Sequence, residues 1–190
     1  YVLILCGLAF LVLIQFNFLT IVLGMSSMVL AFAYPFMKRI TYWPQLFLGI
    51  TFNWGIIMAW CSINQSINLE VFILYLSAIF WTLGYDTIYG VQDMSDDEII
   101  GLKSTAIKFK ENIKLFLTFV YFIVIFLNIY LFKDFLGLNI FSVLFSFFCL
   151  SLLYQLIKFD RKKTNNCLNL FKFNNYTGML LFLSIFTKNI

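Results

Sequence analysis

Apolar residues run along this chain in long unbroken blocks, separated by short polar connections. Seven blocks are evident, at about 1–16, 18–36, 42–62, 69–91, 113–132, 138–157 and 175–188. Most approach the roughly 20 residues that a helix needs to cross a hydrocarbon layer about 30 Å thick. Inside that layer no water is available to backbone N–H and C=O groups, so only helices and closed barrels are stable there. The blocks are continuous and do not alternate, which selects helices over barrel strands. The pattern predicts an all-α polytopic transmembrane helix bundle of about seven helices, a single domain over residues 1–190.

The connections sharpen this picture. A tight link near Asn17 joins the first two blocks, and Pro35 and Pro44 are expected to bracket the second connection, where helices end and start and proline is tolerated. Lys38 and Arg39 lie in the second connection, Lys103, Lys108, Lys110 and Lys114 in and beside the fourth, and Lys158, Arg161, Lys162, Lys163 and Lys172 in and beside the sixth. The opposite side carries only Lys133 and Lys188. Eleven basic residues against two place the second, fourth and sixth connections on the cytoplasmic side by the positive-inside rule. The expected location is a bacterial inner membrane with the active-site loops cytoplasmic. The net charge of +4 then reflects topology and anionic lipid, and no nucleic-acid partner is expected.

Composition narrows the chemistry. Apolar residues make up 62% of the chain and charged ones 12%, against about a quarter charged in a soluble domain. There is no histidine, which removes His-ligated metals and Ser–His nucleophiles. Cys6, Cys61, Cys149 and Cys167 are scattered without metal spacing and read as small apolar residues. The 25 Phe residues accompany abundant Ile, Asn and Lys and read as codon bias. The chain opens at Tyr1 inside an apolar run, with no Met and no basic flank. The expectation is a carboxy-terminal fragment, not a signal peptide.

One segment concentrates chemistry, from Gly84 to Thr105. Asp86 closes an apolar helix, where an ionisable group costs on the order of 3 kcal/mol and normally faces a partner or a wet cavity. Asp93, seven residues on, falls on the same helix face within about 20°, and Gly90 leaves room beside it. Asp97 joins them if the helix continues. Ser95 and Glu98 fit an S-x-x-E capping box that would start a new short helix there. Asp96 and Glu98 are then first-turn acids, and Asp97 still turns back toward the site. Adjacent carboxylates repel unless a cation joins them, and their oxygens suit Mg²⁺, which also bridges to substrate phosphates. Lys103 could hold a phosphate as a point charge. A solvated acidic loop with a helix cap is the alternative, and Asp86 inside an apolar helix weighs against it. Asn53 reads as an interhelical hydrogen-bonding residue more readily than as a substrate contact. Asn174 and Asn175 read as caps of the last helix.

Tyr34-Pro-Phe-Met-Lys-Arg39, Pro44-Gln45, Gly84-Tyr-Asp-Thr-Ile-Tyr89, Gln92-Asp93, Asp96-Asp97 and Ile100-Gly-Leu-Lys-Ser-Thr105 together resemble the UbiA-type superfamily of intramembrane prenyltransferases. The stretch from Cys167 to Gly178, with Phe171, Asn174, Asn175 and Tyr176, resembles the same family's carboxy-terminal signature. The Tyr34 to Arg39 segment points to the branch that prenylates 4-hydroxybenzoate. The resemblance runs the length of the chain and implies a nine-helix fold, of which the seven blocks would be the third to the ninth. It also implies two Asp-rich motifs that bind Mg²⁺ and a polyprenyl diphosphate. Asp86, Asp93 and Asp97 match the second, acting through Mg²⁺ and the diphosphate. Tyr34, Lys38 and Lys103 match residues beside the diphosphate. The first motif lies in the family's first third and is absent from this chain. The implied activity is Mg²⁺-dependent transfer of a polyprenyl group to the ring of 4-hydroxybenzoate in ubiquinone biosynthesis, within the lipid bilayer. Tyr85, Tyr89 and Trp81 are candidate faces for the allylic cation, with Trp81 more readily a packing residue. A naphthoate or porphyrin acceptor, an inactive remnant, and a transporter using Asp86 as its cation site remain as alternatives.

Overall fold

The computed structural model describes residues 1–188, and the described residues form helices joined by short turns. α1 spans Val2–Leu13, α2 Phe18–Ile40, α3 Pro44–Phe52, α4 Trp54–Asn64 and α5 Leu69–Gly90. Two short helices follow, α6 at Met94–Ile99 and α7 at Thr105–Lys108. α8 spans Ile113–Phe132, α9 Ile140–Lys158 and α10 Thr164–Thr187. Among the described residues, five spans are long and apolar enough to cross a membrane: α2, Pro44–Asn64, α5, Ile113–Phe135 and α9. α1 has 12 residues, about 18 Å of helix at 1.5 Å per residue.

Side-chain caps set several of the starts. Asn17 accepts a hydrogen bond from Thr20 N, Asn68 from Val71 N, and Asn139 from Ser142 N. Pro44 occupies the first turn of α3, where its missing N–H is no loss. Two boundaries differ from the sequence reading. Pro35 lies inside α2, which continues to Ile40 and carries Lys38 and Arg39 in its last turn. α10 starts at Thr164, about ten residues before the apolar block, so Asn174 and Asn175 are interior residues and not caps.

The third block is one span interrupted at Asn53, between α3 and α4. The amide of Asn53 donates to Gly49 O at 2.8 Å, Ala78 O at 3.2 Å and Thr82 Oγ1 at 2.8 Å. Two of these partners lie on α5, so the interruption is stitched to the neighbouring helix, as expected for a polar group in lipid.

α5 is the central element, packed against α3, α8 and α10. Its buried face joins Leu83 and Ile88 to Leu117, Val120, Tyr121, Val124, Phe148 and Leu152 from α8 and α9. A second apolar cluster joins Tyr75 and Ile79 to Ile57 and Cys61 of α4. Apolar side chains of α1, α2, α8 and α9 remain exposed on the outside, the surface a lipid solvent covers.

The loops gather on two faces as the charge pattern predicts. On the basic face Lys103 N–H donates to Lys38 O at 2.8 Å, and the Arg161 guanidinium donates to Lys110 O. The fourth connection therefore touches both the second and the sixth. On the opposite face the Asn17 amide donates to Cys61 O at 2.8 Å, and Lys188 sits 4.0 Å from the ring centroid of Phe135.

Candidate active site

α5 runs toward the basic face and ends at Gly90. Val91 to Asp93 form a turn, and α6 starts at Met94 with Asp93 as its N-cap residue. The helix thus breaks between Asp86 and Asp97, and the two do not share a continuous face. The capping box expected at Ser95 and Glu98 is not formed, because Ser95 already lies within the first turn. Glu98 instead takes two hydrogen bonds from Lys110, at 2.8 and 2.7 Å, which ties α6 to the turn between α7 and α8. Asp96 is exposed in the first turn of α6, as expected.

Asp97 points inward. Its side chain is 8% exposed and its Oδ2 accepts a hydrogen bond from Lys38 Nζ at 3.3 Å. The backbone of Asp97 is fixed on both sides: its N–H donates to Asp93 O and its carbonyl accepts from Leu102 N, each at 2.8 Å. Lys38 and Asp93 both lie within coulombic range of Asp86, and so does Tyr34. Tyr34 and Lys38 are one turn apart on α2, both partly buried. The structure therefore brings together Tyr34, Lys38, Asp86, Asp93 and Asp97, from three helices.

Lys103 stands apart from this group. Its ammonium donates to Ile40 O at 3.1 Å and lies 5.6 Å from the ring centroid of Tyr42. Only its backbone joins the site, through Lys38 O. Three residues the sequence reading left without a role support the same corner. Gln45 is buried and accepts from Thr105 N at 3.0 Å, and the hydroxyls of Thr87 and Thr105 share a hydrogen bond of 2.6 Å. Gln92 Nε2 is buried without a partner, a free donor beside the acidic turn.

Among the described residues no three acids converge into a ready ion cage. The donors present are carboxylate oxygens, the hard type that suits Mg²⁺, an ion commonly held by one or two carboxylates together with substrate phosphates. Asp86, Asp93 and Asp97 carry oxygens of this type, though the three do not surround one point.

Below Asp86, toward the membrane interior, a cleft of about 340 Å³ opens between α3, α5 and α10. Phe52, Trp81, Tyr85 and Phe171 give it aromatic walls, and Asn53 and Asn174 supply amides. Tyr85 and Phe171 have ring centroids 5.8 Å apart, and Tyr89 and Phe171 4.7 Å. A second cavity of about 250 Å³ continues deeper, lined largely by apolar residues including Ile56, Leu74, Leu181 and Phe182. Asn53 and Trp81 border both.

Residues 1–184 match the UbiA prenyltransferase family. A 4-hydroxybenzoate polyprenyltransferase, mitochondrial, of Homo sapiens is 41% identical over 185 residues, covering 94% of this chain and 48% of that protein. The protein of the same name from Drosophila melanogaster is 53% identical over 113 residues, covering 59% of this chain and 29% of that protein. The chain thus spans about half the length, or less, of these curated relatives. Among solved structures, the apo structure of a UbiA homolog from Aeropyrum pernix K1 superimposes with a TM-score of 0.77 at 20% identity, covering 95% of this chain and 68% of that one. The bacterial location expected from the sequence is corrected by the relatives, which are mitochondrial proteins of animals and a plant. Loop charge reports which side of a membrane a connection faces, and not which membrane.

Proposed function

This chain belongs to the UbiA prenyltransferase family, and on that premise we propose that it carries the second acidic half of the site of a Mg²⁺-dependent 4-hydroxybenzoate polyprenyltransferase. The single observation that supports the reading is that Lys38 pairs with Asp97 beside Asp86, on the same helix α5 that lends Trp81, Thr82 and Tyr85 to an aromatic-walled cleft. The donor is a polyprenyl diphosphate and the acceptor is the ring of 4-hydroxybenzoate, a transfer that serves ubiquinone biosynthesis. The names of the human and fly relatives support the acceptor.

The roles follow from charge and position. Asp86, Asp93 and Asp97 would hold Mg²⁺ jointly with the diphosphate. When bound, the ion neutralises charge that develops on the departing diphosphate. Lys38 balances two carboxylates in the present arrangement and is placed to turn to a phosphate oxygen, with Tyr34 one turn away on the same helix. Lys103 serves as a further phosphate cation once its ammonium leaves Ile40 O. The Gln92 amide is an uncommitted donor for the same anion. The allylic C–O bond breaks with both electrons leaving on the diphosphate. A π pair of the acceptor ring then forms the new C–C bond ortho to the hydroxyl, and the displaced ring proton passes to diphosphate or water. The apolar walls of the deeper cavity limit the water that would otherwise quench the cation.

The test is direct. In the full-length protein, in membranes supplied with polyprenyl diphosphate, radiolabelled 4-hydroxybenzoate and Mg²⁺, Asp86→Asn or Asp93→Asn abolishes labelled product. Full activity in the double variant overturns the site assignment.

A further inference from the structure

The side chain of Trp81 is held by one hydrogen bond and by neighbours on several sides. Its indole N–H donates to Asn174 Oδ1 at 3.0 Å. Its ring meets Tyr85 edge-on at 6.1 Å and Phe148 edge-on at 5.8 Å between centroids. Gly178 lies beneath it, where an added Cβ would stand 3.3 Å from the ring's outer carbon. Asn174 is itself held in register by α9. Its amide donates to Gln155 Oε1 at 3.3 Å and to Leu170 O at 3.1 Å, and Gln155 Nε2 donates back to Asn174 Oδ1 at 3.3 Å. Gln155 is fully buried and accepts from the Tyr121 hydroxyl at 2.8 Å, while its amide also reaches Thr177 Oγ1 at 3.2 Å. Four helices thus converge, through one polar network inside the bundle, on the orientation of a single indole.

The place of that indole explains why such a network is retained. Trp81 lies five residues before Asp86 on α5, about 7.5 Å along the axis at 1.5 Å per residue. It also stands at the boundary between the upper cleft and the deeper apolar cavity. An allylic diphosphate bound with its charged end at the acids and its hydrocarbon tail in the deeper cavity must place its reacting carbon near this boundary. A π face there stabilises a cation, and most strongly where water is excluded. A ring free to rotate would offer its positive edge instead of its face.

We propose that Asn174, braced by Gln155, is a positioning residue that holds the Trp81 ring against the allylic cation and keeps that cation from water. The inference rests on the prenyl-transfer reading. The cation has two fates, capture by the acceptor ring or by water, and their ratio reads the ring's hold on it.

The experiment measures both products, prenylated acceptor and free prenol, for the full-length protein with polyprenyl diphosphate and 4-hydroxybenzoate. Asn174→Leu is expected to lower kcat roughly 30-fold, the scale of a desolvated cation–π contact. It should raise the prenol share with KM for the diphosphate unchanged. Trp81→Phe, which keeps a ring but removes the N–H, is expected to shift the ratio the same way. The double variant should be no worse than the worse single one. An unchanged product ratio in a folded Asn174→Leu, or additive losses in the double variant, overturns the proposal. If Asn174→Leu does not fold, Trp81→Phe decides alone: a wild-type product ratio there overturns it. Absence of both products in the unsubstituted protein is a different result, and it refutes prenyl transfer itself.

Discussion

Gly84 is placed by a contact that no local pattern announces. A Cβ there would run into the ring of Tyr121 on α8. Tyr121 cannot yield, because it is fully buried and its hydroxyl is committed to Gln155. Gly84→Ala is therefore expected to destabilise the bundle by about 1–3 kcal/mol, the usual cost of overpacking. Unfolding in detergent reads this directly, and Tyr121→Leu in the same chain should recover part of the loss. A neutral Gly84→Ala would mean that α5 and α8 are further apart than the structure has them. The same scale shows what residues could and could not disclose about the site. The candidacy of Asp86 was legible from sequence, because a carboxylate in an apolar helix is costly without a purpose. The Lys38–Asp97 pair was not, because it joins positions 59 apart in the chain and depends on α2 continuing past Pro35. Trp81 was read chiefly as packing, since its partner Asn174 is 93 residues away.

The short helix α6 is held by two ion pairs of different kinds. Glu98 and Lys110 are 36% and 40% exposed, and an exposed pair contributes at most about 1 kcal/mol. Asp97 is nearly buried, and its loss removes the charged hydrogen bond by which Lys38 ties α2 to α6. Glu98→Ala should thus leave thermal stability almost unchanged in detergent, whereas Asp97→Ala should lower it measurably. Equal effects would show that Lys38 is not organised by Asp97. Helix boundaries were the weaker part of the sequence reading, for identifiable reasons. Apolarity located α5, α8 and α9 closely, but the first half of α10 is polar and helical together. Its amides at Asn174 are satisfied by Gln155 and Trp81, which only the assembled bundle supplies. The capping box failed for a related reason: the turn at Val91–Asp93 starts α6 earlier than Ser95, and Glu98 finds Lys110 instead of a cap.

For the whole molecule, the charge pattern and the contacts make the same division into two faces. The three basic connections are linked through Lys38, Lys103, Lys110 and Arg161, and the acidic turn lies on the same face, tied to Lys38 and Lys110. This could be read from sequence because loop charge is set by topology and does not depend on how helices pack. A single-cysteine survey tests it in sealed vesicles. With the four native cysteines replaced by serine, probes at Lys103 and Lys162 should label from one side with an impermeant maleimide. Probes at Gln65 and Gly137 should label only from the other. Labelling of Lys103 and Lys162 from opposite sides would separate the acidic turn from the loop after α9. The bundle would then have to be threaded differently, and the substrate would reach Asp86 and the Trp81 boundary from another face of the membrane.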